Sequence, residues 1–127
     1  MSHWAGRYVG DVWSSPDHDC WGFFRRVQKE QFNRDIPPFA VDAFSRRACA
    51  QAVDSNPERG NWLPADAPRE GDAVLLAHAR HPSHVGLWVD ADGGGVLHCM
   101  RGAGVVFQSV AQLKVSGWGH LEFYRHV

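Results

Sequence analysis

A cysteine and two histidines are the residues of this chain whose types and order could support nucleophilic chemistry. Cys20 stands in the run Asp-Cys-Trp-Gly-Phe-Phe, directly before a stretch with the periodicity of an amphipathic helix. The unpaired N–H groups and the dipole at a helix N-terminus stabilise a thiolate, so we expect this thiol to ionise readily. His84 and His98 follow later in the chain. An imidazole can activate a thiol and a third group can orient that imidazole, so this composition indicates a cysteine hydrolase.

The elements that must position these residues change in type near the middle of the chain. Helical spacing of apolar residues predicts one helix over 20–33 and a second over roughly 40–53, and the Gly- and Pro-rich stretch 54–71 reads as a loop. Short apolar segments separated by turn residues then predict five strands, over 74–76, 85–89, 96–100, 104–108 and 120–125. Helices first and hairpin-connected strands after them predict an α+β domain, with N-terminal helices packed on an antiparallel β-sheet.

The two histidines flank a predicted hairpin turn centred near Ala91. Their separation is even and symmetric about that turn, so we expect them to sit opposite each other on neighbouring strands and to share a face. Gly86 lies on the same face and leaves space for an approaching element. A helix packed on that face would present Cys20 to His84, whereas Cys99 alternates to the other face and is expected to be a core thiol.

Four short motifs, taken together, resemble those of the NlpC/P60 cysteine peptidases. They are Asp19-Cys20-Trp21-Gly22 at a helix start, Glu70-Gly71-Asp72 before a strand, His84-Val85-Gly86 at a strand start, and Leu97-His98 on the next strand. The resemblance runs from about Tyr8 to Leu121, and the order and spacing of the motifs are more specific than any one of them.

The resemblance implies a papain-like fold and hydrolysis of amide bonds in peptidoglycan stem peptides, typically between a γ-D-glutamyl residue and a diamino acid. It implies Cys20 as the nucleophile, His84 as the general base and His98 as the orienting third residue, with no metal or other cofactor. Tyr8 has the spacing of a tyrosine that the family places near the oxyanion site, and Trp13 is the alternative for that place. The Asp-Cys-Trp-Gly form and the compact size are similar to the members of phage tail tips, which implies a phage or prophage tail component with other tail proteins as partners.

Composition limits the other functional classes. A chain of 127 residues is expected to form a single domain over 1–127, and its net charge of −1 gives no electrostatic footprint for nucleic acid. No apolar run approaches the roughly 20 residues of a membrane span. The first residues show no apolar segment of a secretory signal, so we expect synthesis in the cytoplasm. The resemblance to the tail-tip members implies a place in the virion tail and action at the bacterial cell wall. Three cysteines at irregular spacing argue against a disulfide framework.

Other readings of the same residues stay open. The chain could be a catalytically silent structural subunit of a tail tip, or a toxin amidase or acyltransferase that uses the same Cys-His-His site. His78, His81 and His84 are spaced by three and invite a zinc-binding interpretation, although no His-Glu-x-x-His or paired Cys-x-x-Cys motif is present. Arg101, after the His98 strand, could meet a substrate carboxylate or could be a solvated loop charge.

Overall fold

The computed structural model describes residues 3–127, and its regular elements are three α-helices and six β-strands. The helices are α1 (Cys20–Phe32), α2 (Arg46–Ser55) and α3 (Val110–Val115). The strands are β1 (Trp62–Ala65), β2 (Ala73–Ala77), β3 (His84–Val89), β4 (Gly95–Met100), β5 (Gly104–Gln108) and β6 (His120–His126). Short 3-10 turns cover Trp4–Arg7, Pro57–Asn61 and Ala91–Gly93. Met1 and Ser2, at the start of the predicted lead-in, lie outside the described residues.

The strands form one sheet in the order β1-β6-β2-β3-β4-β5, and every neighbouring pair is antiparallel. Strands β2 to β5 follow one another in space as in sequence, whereas β6 returns from the end of the chain and inserts between β1 and β2. The predicted α+β class with an antiparallel sheet is therefore confirmed.

Side chains from the two faces of the sheet enter two separate apolar clusters. On one face, Val85 and Leu87 of β3 pack with Phe23, Phe24 and Val27 of α1. On the other face, a smaller cluster is built from the sheet, from α3 and from the loop before β6; its buried members are Val74, Leu76, Val96, Leu113 and Trp118. Alternate residues of each central strand are thus buried on opposite sides.

The Glu-Gly-Asp motif joins the C-terminal part of α1 to the start of β2. The backbone carbonyl of Gly71 accepts hydrogen bonds from Gln28 Nε2 (3.0 Å) and Arg34 Nη1 (3.2 Å). The buried carboxylate of Asp72 accepts two bonds from Arg125 of β6, at 2.7 and 3.2 Å. These contacts give the motif a structural role, because they fix α1 and β6 to the same point of the chain.

The start of the second helix and two elements that the sequence did not predict are the main differences from the structure. The second helix begins at Arg46, where the Ser45 side chain caps it, so Phe44 precedes the helix and is 63% exposed. The predicted loop 54–71 contains strand β1, and the short helix α3 follows β5.

Within residues 3–127, the structure has no helix that is both long and apolar enough to cross a membrane.

Candidate functional site

Cys20 is the first residue of α1, and the residues around it explain why the helix begins there. The Asp19 side chain accepts a hydrogen bond from the Gly22 N–H (2.8 Å) and so caps the helix. A Cβ on Gly22 would lie 2.2 Å from the backbone oxygen of Asp17, so a larger residue cannot occupy this position without displacing the chain. The Asp-Cys-x-Gly pattern is therefore a local device that starts a helix on the cysteine.

The thiol of Cys20 lies against the first peptide of β3. The backbone N–H groups of Val85 and Trp21 lower its pKa, but burial has the larger effect and raises the pKa to about 12. The residue keeps partial exposure, whereas the sulfur is enclosed by protein. The expectation of a readily ionised thiol is therefore wrong for the resting site, because desolvation of the charged form outweighs the helix N-terminus.

His84 and His98 are joined by a hydrogen bond of 2.9 Å between His84 Nε2 and His98 Nδ1. Both residues are buried and their side chains share one face of the sheet, as predicted. They are not directly opposite, however. Leu87 pairs with Leu97, and the continuation of this register places His98 beside Gly86, so the two histidines are diagonal neighbours. The observed pairing is symmetric about Asp92, not about Ala91, so each residue of β3 pairs two positions further along the chain than predicted.

Gly86 makes this diagonal contact possible. A Cβ at Gly86 would lie 2.7 Å from the Val96 side chain and 2.9 Å from the Cβ of His98. The space that the glycine leaves is thus filled by β4, not by a helix. Any side chain at position 86 would push His98 away from His84.

The helix α1 packs on the opposite face of the sheet from the two imidazole rings. Phe23 and Phe24 contact the Val85 face, whereas the His84 ring stacks on Trp118 of the second cluster, with 5.1 Å between ring centroids. The arrangement considered from the sequence, in which α1 packs on the His84 face and presents Cys20 to His84, is therefore not the one observed. Cys20 instead approaches β3 at its first residues, where the peptide that links His84 to Val85 faces the sulfur.

A chain of hydrogen bonds extends from His84 to the protein surface. His98 Nε2 lies 2.9 Å from Gln108 Oε1, and Gln108 Nε2 donates to Ser116 Oγ at 3.0 Å. An amide oxygen can only accept, so His98 carries its proton on Nε2 and accepts at Nδ1. His84 must then donate from Nε2, which leaves its Nδ1 as an unprotonated acceptor. The protonation states of both rings follow from the orientation of a single amide.

Both imidazoles are held in the neutral form. Burial lowers the pKa of His84 well below its usual value, and the neighbouring His98 and His78 lower it further. Burial also lowers the pKa of His98 to about 4, although the hydrogen bond to Gln108 opposes this shift. A neutral His84 with a free ring nitrogen is in the form that a general base requires.

Trp118 covers the histidine pair on one side. Its indole stacks on His84 and also on His78, whose ring centroid lies 4.0 Å away. His78 Nδ1 in turn lies 3.0 Å from the backbone oxygen of Gly117. Neither Trp118 nor Gln108 was identified from the sequence. The sequence feature that could have identified Gln108 is its position at the end of the strand that pairs with the His98 strand.

The structure does not bring Tyr8 to Cys20. The Tyr8 hydroxyl donates to Glu30 (2.6 Å) and accepts from Gln31 (3.0 Å), ten or eleven residues along α1 from Cys20. At 1.5 Å per residue this is about 15 Å along the helix. Its side chain is buried in the core, so the oxyanion role expected for Tyr8 has no geometric support. The alternative, Trp13, packs edge-to-face on Phe44, with 5.5 Å between centroids.

The other two cysteines and Arg101 differ in their surroundings. Cys99 is fully buried in the α1 cluster, as predicted for a core thiol, whereas Cys49 is partly exposed on α2. Arg101 lies over the ring of Phe44 at 5.0 Å. Among residues 3–127, no group of three or more His, Cys, Asp or Glu side chains is arranged to hold a metal ion.

Comparison with known proteins agrees with the motifs. The model of the NlpC/P60 family matches residues 4–120, which is nearly the whole chain. Members of this family are typically cysteine peptidases or amidases that hydrolyse peptidoglycan. Among curated proteins, none matches this chain closely enough to count as a relative. The helix-on-sheet architecture is consistent with the papain-like fold of the family.

Proposed function

This chain belongs to the NlpC/P60 family, and from that premise we propose that it is a cysteine peptidase that hydrolyses an amide bond in peptidoglycan stem peptides. Cys20 is the nucleophile, His84 the general base and His98 the residue that orients His84. The observation that carries the proposal is the chain of hydrogen bonds behind His84, because it leaves Nδ1 of that ring without a proton.

The first half-reaction begins from a neutral thiol and a neutral imidazole. As the Cys20 sulfur attacks the carbonyl carbon, the thiol proton passes to His84 Nδ1, so the C–S bond forms without a preformed ion pair. Backbone N–H groups at the start of α1 are the donors for the oxyanion, since helix N-termini leave such groups without intrahelical partners. The imidazolium then gives its proton to the departing amine, and the C–N bond breaks.

The second half-reaction returns the enzyme to its resting form. Water attacks the thioester while His84 accepts its proton, the C–S bond breaks, and the thiol is regenerated with the carboxylic acid product. His84 therefore acts in both halves. His98 does not touch the substrate; it accepts the Nε2–H of His84 and stabilises the imidazolium that forms transiently.

His84 is the first residue of β3, and this position supports the transfer of a proton from Cys20. The His84 side chain and the Cys20 thiol lie on opposite faces of the sheet. Both lie at the end of β3 where the strand begins, and a side chain there can reach past the end of the strand to the other face. The Val85 N–H that faces the sulfur belongs to the peptide of His84.

We also propose the bond between γ-D-glutamate and the diamino acid as the one cleaved, and a phage or prophage tail as the place of action. Both rest on resemblance: the four motifs for the bond, and the Asp-Cys-Trp-Gly form for the tail. Detection of the protein in purified virions, together with tail genes beside its own, would support the second proposal. An adjacent immunity gene would favour a toxin.

Digestion of purified muropeptides tests the activity. We expect the wild-type protein to release a new amine and a new carboxylate at one bond, and Cys20→Ala to release none. Cys49→Ala and Cys99→Ala are the matched controls and should retain turnover when folded. A wild-type protein that binds muropeptides but cleaves none would identify a structural subunit in place of an enzyme.

A further inference from the structure

A pocket beside Cys20 combines a mostly apolar wall with two charged residues. Its volume is about 90 Å³, and its floor crosses the α1 face of the sheet from β3 through β2 and β6 to β1. The residues that line it from these strands and the loop before β3 are Ser83, Val85, Leu75, Ala73, Tyr124 and Trp62. Cys20 lies at the β3 end, against Val85, whereas Glu58 and Arg59 belong to the 3-10 turn that precedes β1. The proposed nucleophile and the two charges therefore lie at opposite ends of one apolar pocket.

Glu58 is a buried carboxylate whose partners are all neutral. It accepts hydrogen bonds from Asn61 Nδ2 (3.1 Å) and Trp62 Nε1 (2.9 Å). None of the ion pairs among residues 3–127 includes Glu58. A carboxylate can accept about four hydrogen bonds, and a buried negative charge is costly unless a positive charge accompanies it. Glu58 therefore favours a ligand that brings a positive charge into the pocket.

Arg59, the next residue, offers the complementary charge. Its guanidinium donates to the Tyr124 hydroxyl (3.2 Å) and to the backbone oxygen of Val53 (3.3 Å), and Tyr124 donates in turn to Glu122 (2.7 Å). No carboxylate of the described chain forms an ion pair with it. Because a guanidinium has about five N–H donors, Arg59 keeps donors for a carboxylate of a ligand.

We propose that Glu58 and Arg59 bind the two charged groups at the end of the diamino acid side chain, and that the site prefers a diamino acid which carries both an ammonium and a carboxylate group there. The proposal rests on the assignment of Cys20 as nucleophile and of the γ-D-glutamyl bond as the one cleaved. The methylene groups of the side chain lie along the apolar wall. Glu58 accepts from the ammonium group, and Arg59 donates to the carboxylate.

The other charges of the stem peptide fit this pocket less well. The glutamyl residue brings a carboxylate but no cation, because its nitrogen is in an amide bond. An ammonium group at the start of the peptide is separated from the cleaved bond by the whole glutamyl residue, whose amide would lie unpaired against the apolar wall. Only the diamino acid carries an ammonium group at the end of an aliphatic chain that begins at the cleaved bond.

Three peptides that differ by one group each test the two contacts separately. They are L-Ala-γ-D-Glu-X, where X is L-norleucine, L-lysine or meso-diaminopimelate. Lysine adds an ammonium group to the norleucine chain, and diaminopimelate adds a carboxylate to the lysine chain. Dissociation constants would be measured by calorimetry on Cys20→Ala, which removes the proposed nucleophile and keeps both charged residues.

We expect the lysine peptide to bind about tenfold or more tightly than the norleucine peptide, because hydrogen bonds to charged groups contribute at least that factor. The diaminopimelate peptide should bind about two- to fivefold more tightly than the lysine peptide, since Arg59 is exposed and solvent weakens its ion pairs.

Each charged residue has a variant that should remove one preference and leave the other. Glu58→Gln keeps the size of the side chain and should reduce the lysine preference to about threefold or less, since a neutral acceptor binds more weakly. Arg59→Gln should abolish only the preference for diaminopimelate over lysine. Asp54→Asn and Arg47→Gln, at exposed positions of α2 outside the pocket, make the same changes of net charge and should leave both ratios unchanged.

Equal affinities for the three peptides would overturn the proposal, and so would a lysine preference that survives Glu58→Gln. The peptide series in Cys20→Ala decides the question even if the Glu58 variant does not fold. A wild-type protein that cleaves none of the peptides, while Cys20→Ala keeps both ratios, would refute the proposed hydrolysis and leave this inference standing. Cleavage of all three peptides with equal affinities would do the reverse, so the two failures are distinguishable.

Discussion

Removal of the Gln108 side chain amide should slow turnover without weakening substrate binding. His98 is fully buried, and its Nε2–H has Gln108 Oε1 as acceptor. A buried donor without a partner costs about 1–3 kcal/mol. In the wild-type protein, the hydrogen bond to Gln108 therefore favours the protonation pattern in which His84 Nδ1 carries no proton. Without this hydrogen bond, the two rings can exchange donor and acceptor roles, and His84 would present an N–H to the thiol.

The magnitude follows from that free energy. Since about 1.4 kcal/mol corresponds to a factor of ten, Gln108→Ala should lower kcat by about 5- to 150-fold. KM should change little, because the Gln108 amide contacts His98 and so lies behind the residue that orients His84. Gln108→Glu keeps an acceptor toward His98 and should stay within a few-fold of wild type. Its added charge should raise the pKa of His98 and move the acid limb of the rate profile to higher pH.

Two measurements check this reasoning. Steady-state kinetics on a purified muropeptide give kcat and KM for wild type, Gln108→Ala, Gln108→Glu and the surface control Lys114→Ala, on the exposed side of α3. Nitrogen-15 NMR of labelled histidine reports which ring nitrogen of His84 carries the proton in each variant. A Gln108→Ala protein with unchanged kcat, or one with His84 still protonated only on Nε2, would refute the role assigned to this hydrogen-bond chain.

Three further predictions follow from the same geometry. The free energy of unfolding should fall as the pH drops from about 6.5 toward 4, because His98 has a folded-state pKa of about 4 and the unfolded chain binds the proton first. The loss is about 3 kcal/mol for this group and should be smaller in His98→Gln, as measured by chemical denaturation at each pH. Alkylation of Cys20 by iodoacetamide should accelerate about tenfold per pH unit through pH 9 with no plateau near neutrality, since burial raises the thiol pKa to about 12, and a plateau below pH 8 would instead reveal an ion pair. Gly22→Ala should destabilise the fold by about 3 kcal/mol or more in chemical denaturation, because the new Cβ meets the Asp17 carbonyl, whereas Gly60→Ala, where a Cβ meets nothing, should cost far less.

The strands around the site were predictable because they are short apolar segments and because the turn between β3 and β4 carries Gly and Asp. Strand β1 was missed because Pro64 interrupts it, which a central strand would not tolerate; β1 lies at the edge and pairs only with β6. Helix α3 was missed because it is short, although its capping box of Ser109 and Gln112 is a readable start signal.

The common face of His84 and His98 was predictable, but their register and the position of α1 were not. The even separation of positions 84 and 98 predicts that the two side chains share a face, whereas the register of the two strands depends on how many residues form the turn. The face on which α1 packs is set by the apolar residues of β3 and β4, which alternate with the histidines. The high pKa of the thiol could not be read from Cys20 and its helix, because burial comes from residues distant in the chain.

The most direct test of the central claim is to look for the acyl group on Cys20 during turnover. The reaction with a purified stem peptide would be stopped in acid, and the digested protein would be mapped by mass spectrometry. The proposed mechanism predicts the mass of the acyl fragment on the peptide that contains Cys20, at no other cysteine, and absent from Cys20→Ala. Turnover that leaves no adduct on Cys20 and persists in Cys20→Ala would contradict it.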